Sequence, residues 1–244
     1  MTLAHDISGD GPPVLLLHST AADRRMWDLQ VPVLAAGHRV LRCDLRGYGD
    51  TPAPTEPWND ADDVTALLDA LGIATTAVIG ASGGGRVALE IAARRPERVS
   101  ALTLLCTAVA DFEPGPELRA FGAEEDALLE AGDVEAATEL NVRTWLGPEA
   151  GEDAREKLRT MQRHAFEVQL AGPDAAPVRV DHDLTAIVAP TRLYSGAHDL
   201  PDFGRIAADL AGRLRDARHT ELAWAGHLPA LERPAEISEL LLRG

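Results

Sequence analysis

Six short runs of apolar and β-branched residues, at 14–18, 39–44, 76–79, 101–106, 192–195 and 221–224, predict strands. Segments with apolar residues at helical spacing separate most of them. Strands interleaved with helices imply an α/β fold built on a mostly parallel, doubly wound sheet, because parallel neighbours need long crossovers. One such helix runs through Val64, Leu67, Leu68 and Leu71, with Asn59 as its N-cap and Gly72 as its stop. From 111 to 181 the strand pattern vanishes. Ala-, Glu- and Arg-rich helical stretches take over, broken by Pro114, Pro116, Gly132, Gly147-Pro148 and Gly172-Pro173. The pattern therefore predicts a sheet domain made of 1–110 and 182–244, with 111–181 inserted as a helical cap.

Composition narrows the class. At 244 residues the chain can bury one substantial core. Lys and Arg number 23 against 39 Asp and Glu, a formal charge of −16, which repels phosphate backbones and anionic membrane surfaces. Nucleic acid and membrane are therefore not expected partners. No stretch of about 18 apolar residues and no charged, then apolar, leader opens the chain, so a cytoplasmic location is the expectation. The two cysteines, Cys43 and Cys106, fall in separate apolar runs and read as buried free thiols. No ligand pattern for a metal or cofactor is expected.

The chemistry concentrates at Gly80-Ala81-Ser82-Gly83-Gly84-Gly85, between the strand at 76–79 and a helical pattern from Val87 to Ala93. A Gly-x-Ser-x-Gly sequence at a strand-to-helix turn holds its serine in a strained conformation, with the hydroxyl at the carboxyl edge of the sheet. Glycines flank it because side chains there collide with the neighbouring strand and helix. Two partners follow in the chain. The strand at 192–195 ends in Gly196-Ala197-His198-Asp199, and the strand at 221–224 ends in Ala225-Gly226-His227. Serine, acid and histidine thus each stand just past a strand's carboxyl end, in the order Ser82, Asp199, His227.

On these residues, together with Leu15-Leu16-Leu17-His18, Asp44-Leu45-Arg46-Gly47-Tyr48-Gly49 and Glu232-Arg233-Pro234 after His227, the chain resembles the α/β-hydrolases with a helical cap, similar to enol-lactone hydrolases and esterases. The resemblance implies seven strands with the first edge strand of the family missing, since only Leu3 to Ser8 precede the Gly9-Asp10-Gly11-Pro12-Pro13 turn. It implies Ser82 as nucleophile, His227 as base and Asp199 as the residue orienting it. Backbone N–H groups of Thr20 and Gly83 would form the oxyanion hole. Where the family usually carries His-Gly, this chain has His18-Ser19. Dehalogenases and epoxide hydrolases of the fold use aspartate at the elbow, so serine favours acyl chemistry. A small-molecule ester or lactone is the expected substrate, with thioester, carbon–carbon bond or peracid chemistry as alternatives on the same residues.

Each role has a rival. Asp202, three residues after Asp199, is a second candidate for orienting His227, and Asp199 is favoured for its place nearer the strand end. His18 is expected beneath the oxyanion loop, and Asp44, Arg46 and Gly49 in a structural turn. In the cap, Trp145, Met161 and His164 are the candidate substrate contacts, with the cap's own core as their other reading, as for Phe166. A glycine-rich dinucleotide loop with Asp111 as ribose acid fits poorly, because its spacing needs glycine where Ser82 stands. A third possibility is a hydrolase fold serving as a small-molecule receptor.

Overall fold

The computed structural model describes residues 3–173 and 175–243. Its strands are β1 (His5–Ser8), β2 (Pro13–Leu17), β3 (Arg39–Cys43), β4 (Thr76–Ala81), β5 (Val99–Leu105), β6 (Thr191–Gly196) and β7 (Ala217–Leu222). They form one sheet in the order β1-β3-β2-β4-β5-β6-β7. Only β1 is antiparallel, pairing His5 with Cys43 and Ser8 with Val40; every other neighbour is parallel. The fold class read from the sequence is the one observed. Successive strand residues point to opposite faces, yet Leu15, Leu16 and Leu17 are all fully buried, so both faces of the central sheet are covered.

The helices are α1 (Val31–Leu34), α2 (Asp60–Ala70), α3 (Gly83–Arg94), α4 (Pro116–Glu130), α5 (Val134–Trp145), α6 (Glu152–Ala171), α7 (Pro201–Arg213), α8 (Pro229–Glu232) and α9 (Pro234–Leu242). α2 begins and ends as its caps predict. The Asn59 side chain accepts from the Asp62 N–H at 2.9 Å, and Gly72 stops the helix in the left-handed region at φ 67°. α3 contributes Val87, Ala88, Ile91 and Ala92 to the core through its apolar face. Between β5 and β6 lie α4, α5 and α6, with no strand among the described residues of that interval.

One strand sits elsewhere than its apolar signal placed it. The final strand spans Ala217–Leu222, not 221–224, and Trp224 lies beyond it. β7 is the edge of the sheet, paired only with β6, and Arg218, Thr220 and Glu221 are exposed along it. A strand that buries little has little apolar pattern to read. No helix among the described residues is long and apolar enough to cross a membrane.

Candidate active site

Ser82 sits between β4 and α3 with φ 50° and ψ −117°, a positive φ that a side-chain-bearing residue adopts only under constraint. The constraint is crowding. A Cβ on Gly80 would lie 2.7 Å from the Gly84 carbonyl oxygen, and one on Gly84 would lie 2.5 Å from the carbonyl oxygens of Leu17 and His18. Only glycine lets α3 start so close to β2 and β4. The Ser82 carbonyl accepts from the N–H groups of Gly85, Arg86 and Ala108, which locks the turn, and its side chain makes no capping hydrogen bond to the helix.

His227 follows β7 on a loop and is buried, its ring held between Trp145 (centroids 4.5 Å apart) and Phe203 (4.1 Å). Its Nδ1 lies 2.7 Å from Oδ2 of Asp199, which follows β6. An ionised carboxylate only accepts, so Nδ1 carries the hydrogen and the neutral ring presents its lone pair on Nε2. Asp199 Oδ1 accepts from the Leu200 N–H at 2.7 Å. Asp202 is engaged elsewhere: its Oδ1 accepts from the Gly115 N–H at 2.6 Å and from Arg205 at 3.0 Å. The loop carrying His227 is tied by Glu232, whose carboxylate accepts from the N–H of Gly226 at 3.0 Å and of Leu228 at 3.3 Å. Burial pushes the Glu232 carboxyl above the usual range.

Ser82 and His227 line one cavity of about 220 Å³ with Ser19, Thr20, Tyr48 and Trp145. Thr20 packs directly on the start of α3, where a Cβ on Gly83 would come within 2.5 Å of Thr20 Cγ2. Thr20 makes no backbone hydrogen bond through its N–H among the described residues, and the Gly83 N–H, first in α3, has no acceptor within the helix. Beneath this loop His18 is buried, Nδ1 donating to the Ser19 carbonyl at 2.8 Å and Nε2 accepting from the Leu45 N–H at 2.9 Å. Ser19, in place of the usual glycine, steadies the loop by accepting the Ala21 N–H at 3.2 Å. Asp44 is satisfied by the N–H groups of Arg24 (2.8 Å) and Asp50 (2.9 Å) and by the Arg24 guanidinium.

Of the three expected cap contacts, the structure brings only Trp145 to this cavity. Met161 lines a separate cleft of about 660 Å³ beside Met26 and Leu231. His164 lines another, of about 580 Å³, and its Nε2 donates to the Gly49 carbonyl at 2.9 Å. Both clefts exceed the first in volume, but neither includes Ser82 or His227, and arginines in the second are paired with carboxylates. Sequence reasoning passed over Glu125, Asn141, Gln162 and Gln169, which line the cavity with Phe121 and Phe166. The available signal was periodicity: Asn141 is one turn before Trp145, and Gln162, Phe166 and Gln169 fall on one face of α6.

Cys106 completes a cluster with Asp199 and His227, their donor atoms all within 4.8 Å of one another, which is the separation a shared metal ion needs. The donor set is arranged otherwise. Asp199 and His227 are hydrogen-bonded to each other, and the Cys106 thiol donates to the Gly226 carbonyl at 3.6 Å. Burial, then the nearby Asp199 charge, raises the thiol well above its ordinary pKa, which opposes the thiolate that a metal or an electrophile requires. Cys106 is fully buried and does not line the cavity; Ser82 does.

Comparison with known proteins agrees with this architecture. The model of the alpha/beta hydrolase fold family matches residues 12–159. A pimeloyl-(acyl-carrier protein) methyl ester esterase of Aromatoleum aromaticum is 31% identical over 94% of this chain and 96% of its own. The dihydrolipoyllysine-residue acetyltransferase component of the acetoin cleaving system of Pseudomonas putida is 30% identical over 97% of this chain, which spans 64% of that longer protein. Among solved structures, the enol-lactonase of Burkholderia xenovorans LB400 superimposes with a TM-score of 0.79 at 26% identity, covering 99% of this chain and 95% of the other. With its sheet order, its strained serine after β4 and a family match over more than half its length, the chain belongs to the α/β-hydrolase fold family.

Proposed function

We propose that the protein is a serine hydrolase that cleaves a carboxylic ester or lactone of a small molecule through an acyl-enzyme on Ser82. The observation that carries this reading is that Ser82, at φ 50°, shares a cavity with His227, whose Nδ1 is 2.7 Å from Asp199. A serine hydroxyl is a poor nucleophile unless a base removes its proton as it attacks. His227 takes that proton on Nε2, while Asp199 holds the ring's tautomer and stabilises the imidazolium. The carbonyl carbon becomes tetrahedral, and its oxyanion accepts from the N–H groups of Thr20 and Gly83. Collapse of this intermediate expels the alcohol, which takes the proton from His227. Water, activated by the same histidine, then attacks the acyl-enzyme and frees the acid and Ser82.

Relatives named for methyl ester and enol-lactone hydrolysis support the substrate class. The cavity, at about 220 Å³, lies below the range usual for drug-sized ligands and suits a small substrate. Intact-mass measurement after mixing with a panel of esters, lactones and thioesters tests the reading. The expected result is an acyl adduct that peptide mapping assigns to Ser82 and that Ser82→Ala abolishes. An adduct on another residue, or turnover that survives Ser82→Ala, refutes it.

A further inference from the structure

Polar side chains, Glu125, Asn141, Gln162 and Gln169, line the cavity that Ser82 shares, where a ligand pocket is usually mostly apolar. Gln162 is only 3% exposed, yet its Oε1 is buried without a hydrogen-bond partner among the described residues. Leaving a buried amide oxygen unpaired is costly, so such a group is a place where a ligand completes the structure. The neighbouring face of α6 is apolar, with Leu158, Met161 and Ala165 buried along it. One step round the helix, Gln162 and Gln169 line the cavity instead.

A second acceptor comes from α4. Glu125 lines the same cavity, and its Oε1 accepts from Asn141 Nδ2 at 2.5 Å. The Asn141 amide is fully committed, since Nδ2 also donates to the Ala137 carbonyl at 3.0 Å and Oδ1 accepts from Trp145 Nε1 at 2.7 Å. Asn141 therefore fixes Glu125 and leaves its Oε2 open. No lysine or arginine is among the described residues lining the cavity, so no permanently charged cation there balances a carboxylate on a ligand beside Glu125. Burial raises the Glu125 carboxyl above its ordinary pKa, in keeping with a site that gains from a donor close by.

We infer that Gln162 and Glu125 determine specificity: they select small esters or lactones whose acyl or ring portion bears a hydroxyl group, and they reject analogues bearing a carboxylate. This rests on the serine-hydrolase reading above and names the substrate class for the same cavity. A site built to hydrogen-bond a substrate hydroxyl discriminates strongly against the analogue that lacks it, because its own polar groups are then left unpaired.

Three matched methyl esters test it: methyl 3-hydroxybutyrate, methyl 3-methylbutyrate, in which methyl replaces the hydroxyl, and monomethyl succinate, which carries a carboxylate. The wild type should show kcat/KM for the hydroxy ester at least about tenfold above that for the methyl analogue, the factor one hydrogen bond carries, and lower still for the succinate. Gln162→Met, close in shape, should narrow the hydroxyl-to-methyl ratio of kcat/KM by about tenfold. Glu125→Gln should selectively raise the rate on monomethyl succinate. Equal wild-type rates on the hydroxy and methyl esters overturn the inference whether or not the variants fold, and so does an unchanged ratio in a folded Gln162→Met. Turnover without the hydroxyl preference, or no turnover of any of the three esters, removes this inference alone, while the Ser82 adduct across esters, lactones and thioesters decides the hydrolase reading.

Discussion

The backbone N–H of His227 donates to the carbonyl of Trp145 at 2.8 Å, and the two rings lie 4.5 Å apart, so the last residue of α5 holds the histidine that follows β7. A helix between β5 and β6 thus supports the proposed base as well as lining the cavity. Trp145→Ala should therefore lower kcat on every ester, the smallest activated acetate included, by about tenfold to a hundredfold, because small displacements of a reacting group are expensive. Trp145→Phe should recover part of the loss. Steady-state kinetics on a graded ester series check this, and a change confined to long substrates would show that Trp145 only shapes the pocket.

Ser82→Ala should remove turnover while circular dichroism and melting temperature stay near wild type, since the lost hydroxyl contributes little packing. Residual activity should fall below about a hundredth of wild type. His227→Ala, alone or combined with Ser82→Ala, should be no worse than about the single serine variant, because groups acting as a unit do not lose activity additively. Additive losses would assign His227 a separate task.

The two acids should separate cleanly. Asp199 Oδ2 faces His227 Nδ1, whereas Asp202 accepts the Gly115 N–H that leads into α4. Asp199→Asn should cut kcat by a factor on the order of 10⁴, the cost of a mis-set tautomer. Asp202→Asn should leave kcat close to wild type and cost about 1 kcal/mol of stability, the worth of a hydrogen bond. Kinetics and chemical denaturation of the pair decide between them.

Glu232 joins the N–H groups on either side of His227, and Glu232→Ala leaves both without their acceptor. Each orphaned donor costs about 1 to 3 kcal/mol if it stays buried. The variant should melt several degrees lower and turn over more slowly, while Glu232→Gln, which keeps an acceptor, should lie between. Differential scanning calorimetry with parallel rate measurements tests the ordering.

Burial pushes the thiols of Cys43 and Cys106 far up, so neither should react with an aromatic disulfide reagent at pH 8 in the folded protein, and both should react in denaturant. The sign of the linked pH effect follows. In the unfolded chain the thiols ionise near about 8.5, while in the folded chain they keep their protons. The folded state binds more protons above that value, so stability is undiminished below it and falls as pH rises through it. Denaturation midpoints between pH 7 and 10 should decline, and more gently when both cysteines are replaced by alanine.

The sequence alone determined the α/β class, the strained turn at Ser82 and the standing of Asp199 and His227 beyond strand ends. These are backbone constraints that restrict residue type locally: glycine where β4, β2 and α3 nearly touch, and apolar runs where a strand is covered on both faces. Tertiary structure decided what local pattern leaves open. The edge strand β7 carries almost no apolar signal because it buries so little. Asp199 and Asp202 are the same residue type three positions apart, and what separates their roles is what faces each across the fold, a histidine in one case and the Gly115 N–H in the other. The cap shows the same limit. Neighbouring residues on a helix point about 100° apart, so Met161 and Gln162, adjacent in sequence, face different cavities, and only the packing of α6 in the fold selects which one shares a cavity with Ser82.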